Sequence, residues 1–171
     1  MKRSGVLLFV VCVLGVAGCS DDGTAPTNLP LVFTAQLSPA NEVPAIGNAE
    51  STGRGAVQIT FNVTRDAANA ITAGTVNFHF QLNGFPGTTA VIAAHIHSAA
   101  AGVNGPVVVN TGVTAGAVTT TDGVGTFTAS GITVSPATIQ AIVNNPAAFY
   151  FNVHSVQNPG GFTRGQLSRT L

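Results

Sequence analysis

His95 and His97 are separated by a single residue in the run Ala94-His95-Ile96-His97. On a strand, both imidazoles leave one face while Ile96 leaves the other. A third histidine, His154, lies in Tyr150-Phe151-Asn152-Val153-His154-Ser155. Alternation there groups His154 with Tyr150 and Asn152, and turns Phe151 and Val153 inward. Neutral imidazole is a good ligand for Zn or Cu. Two nitrogens from an H-x-H strand and a third from a neighbouring strand make a minimal metal site with an open position. His95, His97 and His154 are therefore the candidate ligands. The same residues have a plainer use, hydrogen-bonding on a sheet surface or bracing the Asn104-Gly105 and Asn158–Gly161 loops. His79, the remaining histidine, also falls on a polar strand face.

A second constellation is ionic. Arg164-Gly165-Gln166 precedes Leu167 near the C-terminal end, and Asn41-Glu42-Val43-Pro44 reads as an early loop. An arginine beside glycine on a strand can reach across to a carboxylate, and Glu42 is the obvious partner. We expect Glu42 and Arg164 to form a structural ion pair that clamps the first loop onto the last strand. Such a pair fixes register more than it adds stability. Catalytic patterns are missing. Gly-x-Ser-x-Gly does not occur, the Gly-rich turns do not match a phosphate loop, and the acids are scattered. These residues point to binding rather than to an enzyme.

Composition narrows the classes further. Lys+Arg and Asp+Glu each number 6, and only 7% of the 171 residues are charged. A nucleic-acid binder needs clustered cations to neutralise phosphates, so that class is excluded. With 45% of residues hydrophobic, the chain can build a core rather than remain disordered.

The first residues belong to targeting. Lys2 and Arg3 precede the apolar run Val6–Val16, and Val16-Ala17-Gly18-Cys19 follows. This is the layout of a secretory signal peptide, with a run too short for a bilayer of ~30 Å. Its ending resembles a bacterial lipobox, which implies lipidation of Cys19 and cleavage before it. Residues 1–18 are then the lipoprotein signal peptide. The mature chain keeps four arginines, no lysine and six acids, a net charge of −2. No basic patch supports membrane binding, so the acyl chains must anchor the protein. Cys12 is discarded and Cys19 acylated, which leaves no disulfide. Residues 19–30, with SDDGTAPTNLP after Cys19, are polar and contain Gly and Pro. They read as a flexible tether. The expected location is a lipid anchor in the cell or outer membrane, facing the periplasm or exterior.

Residues 31–171 read as all-β. Val57, Ile59, Phe61 and Val63 alternate with Ala56, Gln58, Thr60 and Asn62; Val76, Phe78, Phe80 and Leu82 alternate with Asn77, His79 and Gln81. Such period-2 patterns mark strands with one buried face. Expected strands run over 31–37, 55–64, 70–82, 90–97, 106–110, 124–129, 148–154 and 163–171. Asn83-Gly84, Asn104-Gly105 and Asp122-Gly123 punctuate them. On the 90–97 strand, Ile92, Ala94 and Ile96 are expected to fill the core. Ser135-Pro136 opens a short helix that closes on Asn144-Asn145-Pro146 and crosses between sheets. The expected fold is an antiparallel Greek-key, immunoglobulin-like β-sandwich with one short helix.

Three blocks carry a family resemblance. They are Leu37-Ser38-Pro39-Ala40-Asn41-Glu42-Val43-Pro44 with Gly53-Arg54-Gly55-Ala56; Ala94–His97 running on to Gly102-Val103-Asn104-Gly105-Pro106-Val107-Val108; and Tyr150–Ser155 with Asn158-Pro159-Gly160-Gly161 and Arg164-Gly165-Gln166-Leu167. In this order they resemble the CHRD domain, the module repeated in chordin, over nearly the whole mature chain. Phe162-Thr163 stands where the family often carries an acid. The resemblance implies an immunoglobulin-like sandwich and an extracytoplasmic setting. It suggests a lipid-anchored binding or adhesion module of the cell envelope, with an envelope or extracellular protein or glycan as partner. The alternative is a Zn- or Cu-binding envelope protein or oxidoreductase. An H-x-H strand in a Greek-key sandwich is similar to copper–zinc superoxide dismutase, but that enzyme's two-metal site needs more histidines than this chain has. A copper-only site would need His79 to join the other three.

Overall fold

In a computed structural model, residues 28–170 are described. The expected signal peptide (1–18), Cys19 and most of the expected tether (19–30) lie outside the described residues. The chain forms ten strands and one α-helix among those residues. The first sheet contains β1 (Leu31–Leu37), β2 (Arg54–Arg65), β3 (Ile71–Asn83), β7 (Gly125–Thr133) and β10 (Ser168–Arg169), in the order β10-β1-β2-β3-β7. The second contains β4 (Ala90–Ser98), β5 (Val107–Asn110), β8 (Phe149–Ser155) and β9 (Thr163–Gln166), in the order β5-β4-β8-β9. The short β6 (Val118–Thr119) also pairs with β4. Every pair is antiparallel. The architecture is an all-β sandwich with one short helix.

The alternation read from the sequence places the core. Ile59, Phe61, Phe78 and Phe80 of the first sheet meet Ile96, Phe151 and Val153 of the second, all at 0–1% exposure. Phe151 lies 5.8 Å from Phe80 and 5.9 Å from Phe78 between ring centroids, so aromatic contacts stitch the sheets together. Burying each phenylalanine is worth about 1.5–3 kcal/mol, and a well-set aromatic pair adds about 0.5–1.5.

The turns follow their residue chemistry. Asp122 and Gly123 both take positive φ (50° and 78°), and Thr121 and Val124 exchange backbone hydrogen bonds across them. This two-residue turn is the form that Asp-Gly favours. The helix α1 (Pro136–Asn144) begins with Ser135 Oγ accepting from Thr138 N, and it carries the chain from β7 in one sheet to β8 in the other.

Three local expectations are corrected, and one short strand is added. The final strand is two strands, because Leu167 turns into the core (3% exposed) as the chain passes from the second sheet to the first. The strand expected over 124–129 extends to Thr133, past a register shift where Gly131 takes φ 71° and donates to Asn77 Oδ1. On β4, a bulge between Val91 and Ala93 puts Val91 in the core and leaves Ile92 half-buried. Finally, β6 has too few residues to show a period.

Gly165 marks a close approach. A Cβ there would lie 2.0 Å from the backbone oxygen of Gln36 on β1, so only glycine lets β9 close against the first sheet. Ser38 and Arg164 bridge the sheets beside it.

Candidate metal centre

The outer face of the second sheet gathers the polar residues. β4 contributes His95 and His97; β8 contributes Tyr150, Asn152 and His154; β9 contributes Arg164. The register sets His95 opposite Asn152, and Asn152 opposite Arg164. His154 lies opposite Ala93, one diagonal step from His95. The alanine methyl leaves room for the imidazoles, which long diagonal side chains can bring into contact.

This face is not a solvated surface. All of β8 is buried; Tyr150 and Asn152 are each 2% exposed, and His97 and His154 each 8%. Loops cover it. His97 Nδ1 donates to the Gly105 carbonyl at 2.9 Å, and His154 Nδ1 donates to the Pro159 carbonyl at 3.0 Å. A carbonyl can only accept, so in both rings the proton sits on Nδ1 and the lone pair on Nε2. His95 Nδ1 lies 3.1 Å from His154 Nε2 and donates to it. His97 Nε2 is buried with no hydrogen-bond partner.

One ligand nitrogen from each of His95, His97 and His154 lies within 4.8 Å of the other two. Tetrahedral ligands at a Zn–N distance of about 2.1 Å are roughly 3.4 Å apart. Small ring rotations would therefore close the group on one ion, with the shared proton of His95 moving to its Nε2. Carbonyl partners on Nδ1 are the usual way that a metal-binding histidine is held in orientation. Burial, with the neighbouring His154 and His97, lowers the His95 pKa to about 4. Burial also lowers His97 and His154, against the raising effect of their backbone hydrogen bonds. All three rings are thus neutral at pH 7, as ligation requires.

Each orienting loop has its own buried polar brace. Around Gly105, Tyr150 stacks on His97 at 4.8 Å and 9°, while its hydroxyl accepts from Gly105 N. Arg164 also lies over that ring, 4.6 Å from its centroid. Arg164 Nε donates to Asn41 O at 2.6 Å, and Nη1 donates to Asn104 Oδ1 at 2.8 Å. Around Pro159, Glu50 Oε2 accepts from Ser155 Oγ at 2.6 Å and from Asn158 Nδ2. Sequence reasoning missed Glu50, Tyr150 and Asn158 in these roles. Glu50 and Asn158 signal only that each lies near a turn, and turn residues have many uses; alternation puts Tyr150 on the face of His154 but does not show its stack on His97.

Arg164 Nε stands 3.9 Å from Glu42 Oε2, both side chains almost wholly buried. The guanidinium does not fork onto the carboxylate; its hydrogen bonds go to Asn41, Val103 and Asn104. Glu42 Oε1 has no hydrogen-bond partner. Burial raises the Glu42 pKa to about 7, with Arg164 pulling the other way. His79 is not part of the centre. It lies on the first sheet, hydrogen-bonded to Thr128 and Gln81.

The Glu42 shift has a stability consequence. The folded carboxyl binds its proton more tightly than the unfolded one, so its contribution is full below pH 4.5 and lost as pH rises through about 7. Glu42→Gln removes that loss. Relative to wild type, it should gain up to about 3 kcal/mol between those limits, read from denaturant melts across pH. A constant difference between the two proteins would refute this. The histidines, with lowered pKa, lose stability as pH falls below 6.5, but equally in both proteins.

The fold and this face define a class, an antiparallel β-sandwich with a loop-covered histidine face on one sheet. The chain belongs to the CHRD domain family, whose model matches residues 33–167. No curated protein matches it. No solved structure matches it either.

Proposed function

We propose that this CHRD domain is a metal-binding module of the cell envelope, taking one Zn or Cu ion through His95, His97 and His154. One observation carries the reading: three imidazole nitrogens converge within 4.8 Å, with two rings already oriented by carbonyls. An all-nitrogen set suits Zn and Cu, with Cu(II) the tighter of the two. The test is metal analysis of the full chain, purified in detergent and equilibrated with each ion. One equivalent per chain is expected. The chain has one tyrosine and no tryptophan, so its fluorescence reports Tyr150, the ring stacked on His97. Copper should quench it stoichiometrically. The absence of stoichiometric metal would overturn the proposal.

We further propose that the module is held to a membrane by a lipid on Cys19. The Val16-Ala17-Gly18-Cys19 junction and the polar stretch after it support this. Cys19→Ser should release the protein from the membrane fraction, and mass spectrometry of wild type should show an acylated Cys19. An unmodified Cys19 would refute the anchor.

A second reading is a binding or adhesion module for an envelope protein or glycan. It is favoured by Val43, Val103 and Val107, all exposed on or beside loops that Asn104 ties together through the Val43 carbonyl. Pull-down of a defined envelope fraction that fails with Val103→Asp would support it.

A further inference from the structure

The centre has three histidines, and among the described residues no cysteine, aspartate or glutamate joins them. A closed structural zinc site uses four protein ligands, whereas three leave one position to an outside donor. Asn152 is the residue placed to attend that position. It is 2% exposed and lies between Tyr150 and His154 on the same face of β8, directly across from His95. Its Oδ1 is buried and has no hydrogen-bond partner. Leaving such an acceptor unpaired costs about 1–3 kcal/mol, so its presence beside three convergent ligands calls for a donor there. Gly161 packs against this amide: a Cβ at Gly161 would fall 2.4 Å from Asn152 Nδ2 and 2.7 Å from its Oδ1. A guanidinium stands in the next strand. Arg164 stands opposite Asn152 on β9 and lies over Tyr150, which stacks on His97.

We infer that the fourth coordination position is held by an exchangeable water that donates to Asn152 Oδ1, and that a small anion can replace it. The inference rests on the metal reading above. The water accepts nothing from the protein; it gives its lone pair to the metal and donates one hydrogen bond to the amide oxygen, keeping both protons. When an anion enters, the water leaves and the oxidation state of the metal is unchanged. The Arg164 charge favours an anion over a neutral ligand. Asn152 is a positioning residue; it does not itself bind the metal.

The probe is azide, added to the full chain loaded with one equivalent of Cu(II). Metal analysis comes first. If copper does not bind, the metal reading fails and this inference falls with it. If copper binds, azide should produce a ligand-to-copper charge-transfer band and shift the electron paramagnetic resonance spectrum. In deuterated water, pulsed resonance should detect exchangeable deuterons on an equatorial water. Copper that binds stoichiometrically but ignores azide and shows no such deuterons would overturn this inference while leaving the metal reading intact. Asn152→Ala should keep one copper per chain and bind azide roughly 2- to 10-fold tighter, because the competing water loses its acceptor. Unchanged azide affinity in that variant would remove Asn152 from the role. The wild-type azide and deuterium measurements decide the open position even where the variant does not fold.

Discussion

His97→Ala and His154→Ala should each abolish stoichiometric metal binding, with an affinity loss larger than the roughly 10–100-fold expected for removing an outer-shell partner. Each variant removes one of three converging nitrogens, and two imidazoles are fewer than a stable site of this type uses. His97 also carries the stack on Tyr150 and the hydrogen bond to Gly105, so its loss should end copper quenching of tyrosine fluorescence. His79→Ala is the control. That residue is hydrogen-bonded to Thr128 on the other sheet, and its loss should leave metal affinity unchanged. Isothermal titration with Zn, and fluorescence with Cu, read the difference. Wild-type affinity in His97→Ala or His154→Ala would place any bound metal elsewhere. Thermal melts of the same samples show whether the fold survives.

Arg164→Ala should be the most destabilising single change on this face, by about 3–5 kcal/mol. Its guanidinium is 2% exposed and satisfies Asn41 O and Asn104 Oδ1 while covering Tyr150. Removing it leaves buried acceptors without donors and a cavity beside the ring. The midpoint of melting should fall by roughly 6–20 °C. The pair with Glu42 can be separated from the rest by a double-mutant cycle with Glu42→Gln. With the Glu42 carboxyl titrating near 7, the coupling should be small at pH 5 and grow above pH 8, where the carboxylate is charged. A coupling that does not change with pH would mean that the ionic contact is immaterial and that only the hydrogen bonds count. Metal affinity should fall as well, because Arg164 reaches His97 through Asn104, Gly105 and Tyr150.

These effects meet because two loops serve both stability and the centre. The 99–106 loop carries Gly105 and is held by Arg164; the 156–161 turn carries Pro159 and is held by Glu50 through Ser155 and Asn158. The His97 and His154 rings are each oriented by a backbone oxygen, and the loop that carries each oxygen is braced by a buried side chain, Arg164 or Glu50. Loosening either brace therefore turns a ligand without touching it.

The sequence by itself determined the sandwich, most of its strands, the capped helix and the direction in which each histidine points. Those properties are local. The period of 2 assigns faces, Ser-Pro starts a helix, and Asp-Gly makes a turn, whatever the rest of the chain does. It also pointed Arg164 towards Glu42, since an arginine beside glycine on a strand can reach a loop carboxylate. Tertiary structure alone decided that β4 and β8 are neighbours and that His154 stands one diagonal from His95 rather than directly opposite. It decided too that the polar face is covered. Alternation marks a residue as pointing away from the core, but it cannot tell water from a loop folded back over the sheet. That cover sets the protonation of His97 and His154, leaves Asn152 Oδ1 and His97 Nε2 without partners, and sends the Arg164 hydrogen bonds to loop oxygens instead of Glu42. The carbonyls that set the protonation lie only 8 and 5 residues from their histidines, but the His95–His154 contact and the Arg164 hydrogen bonds join residues 59 to 123 positions apart, and no spacing within a single strand encodes that meeting.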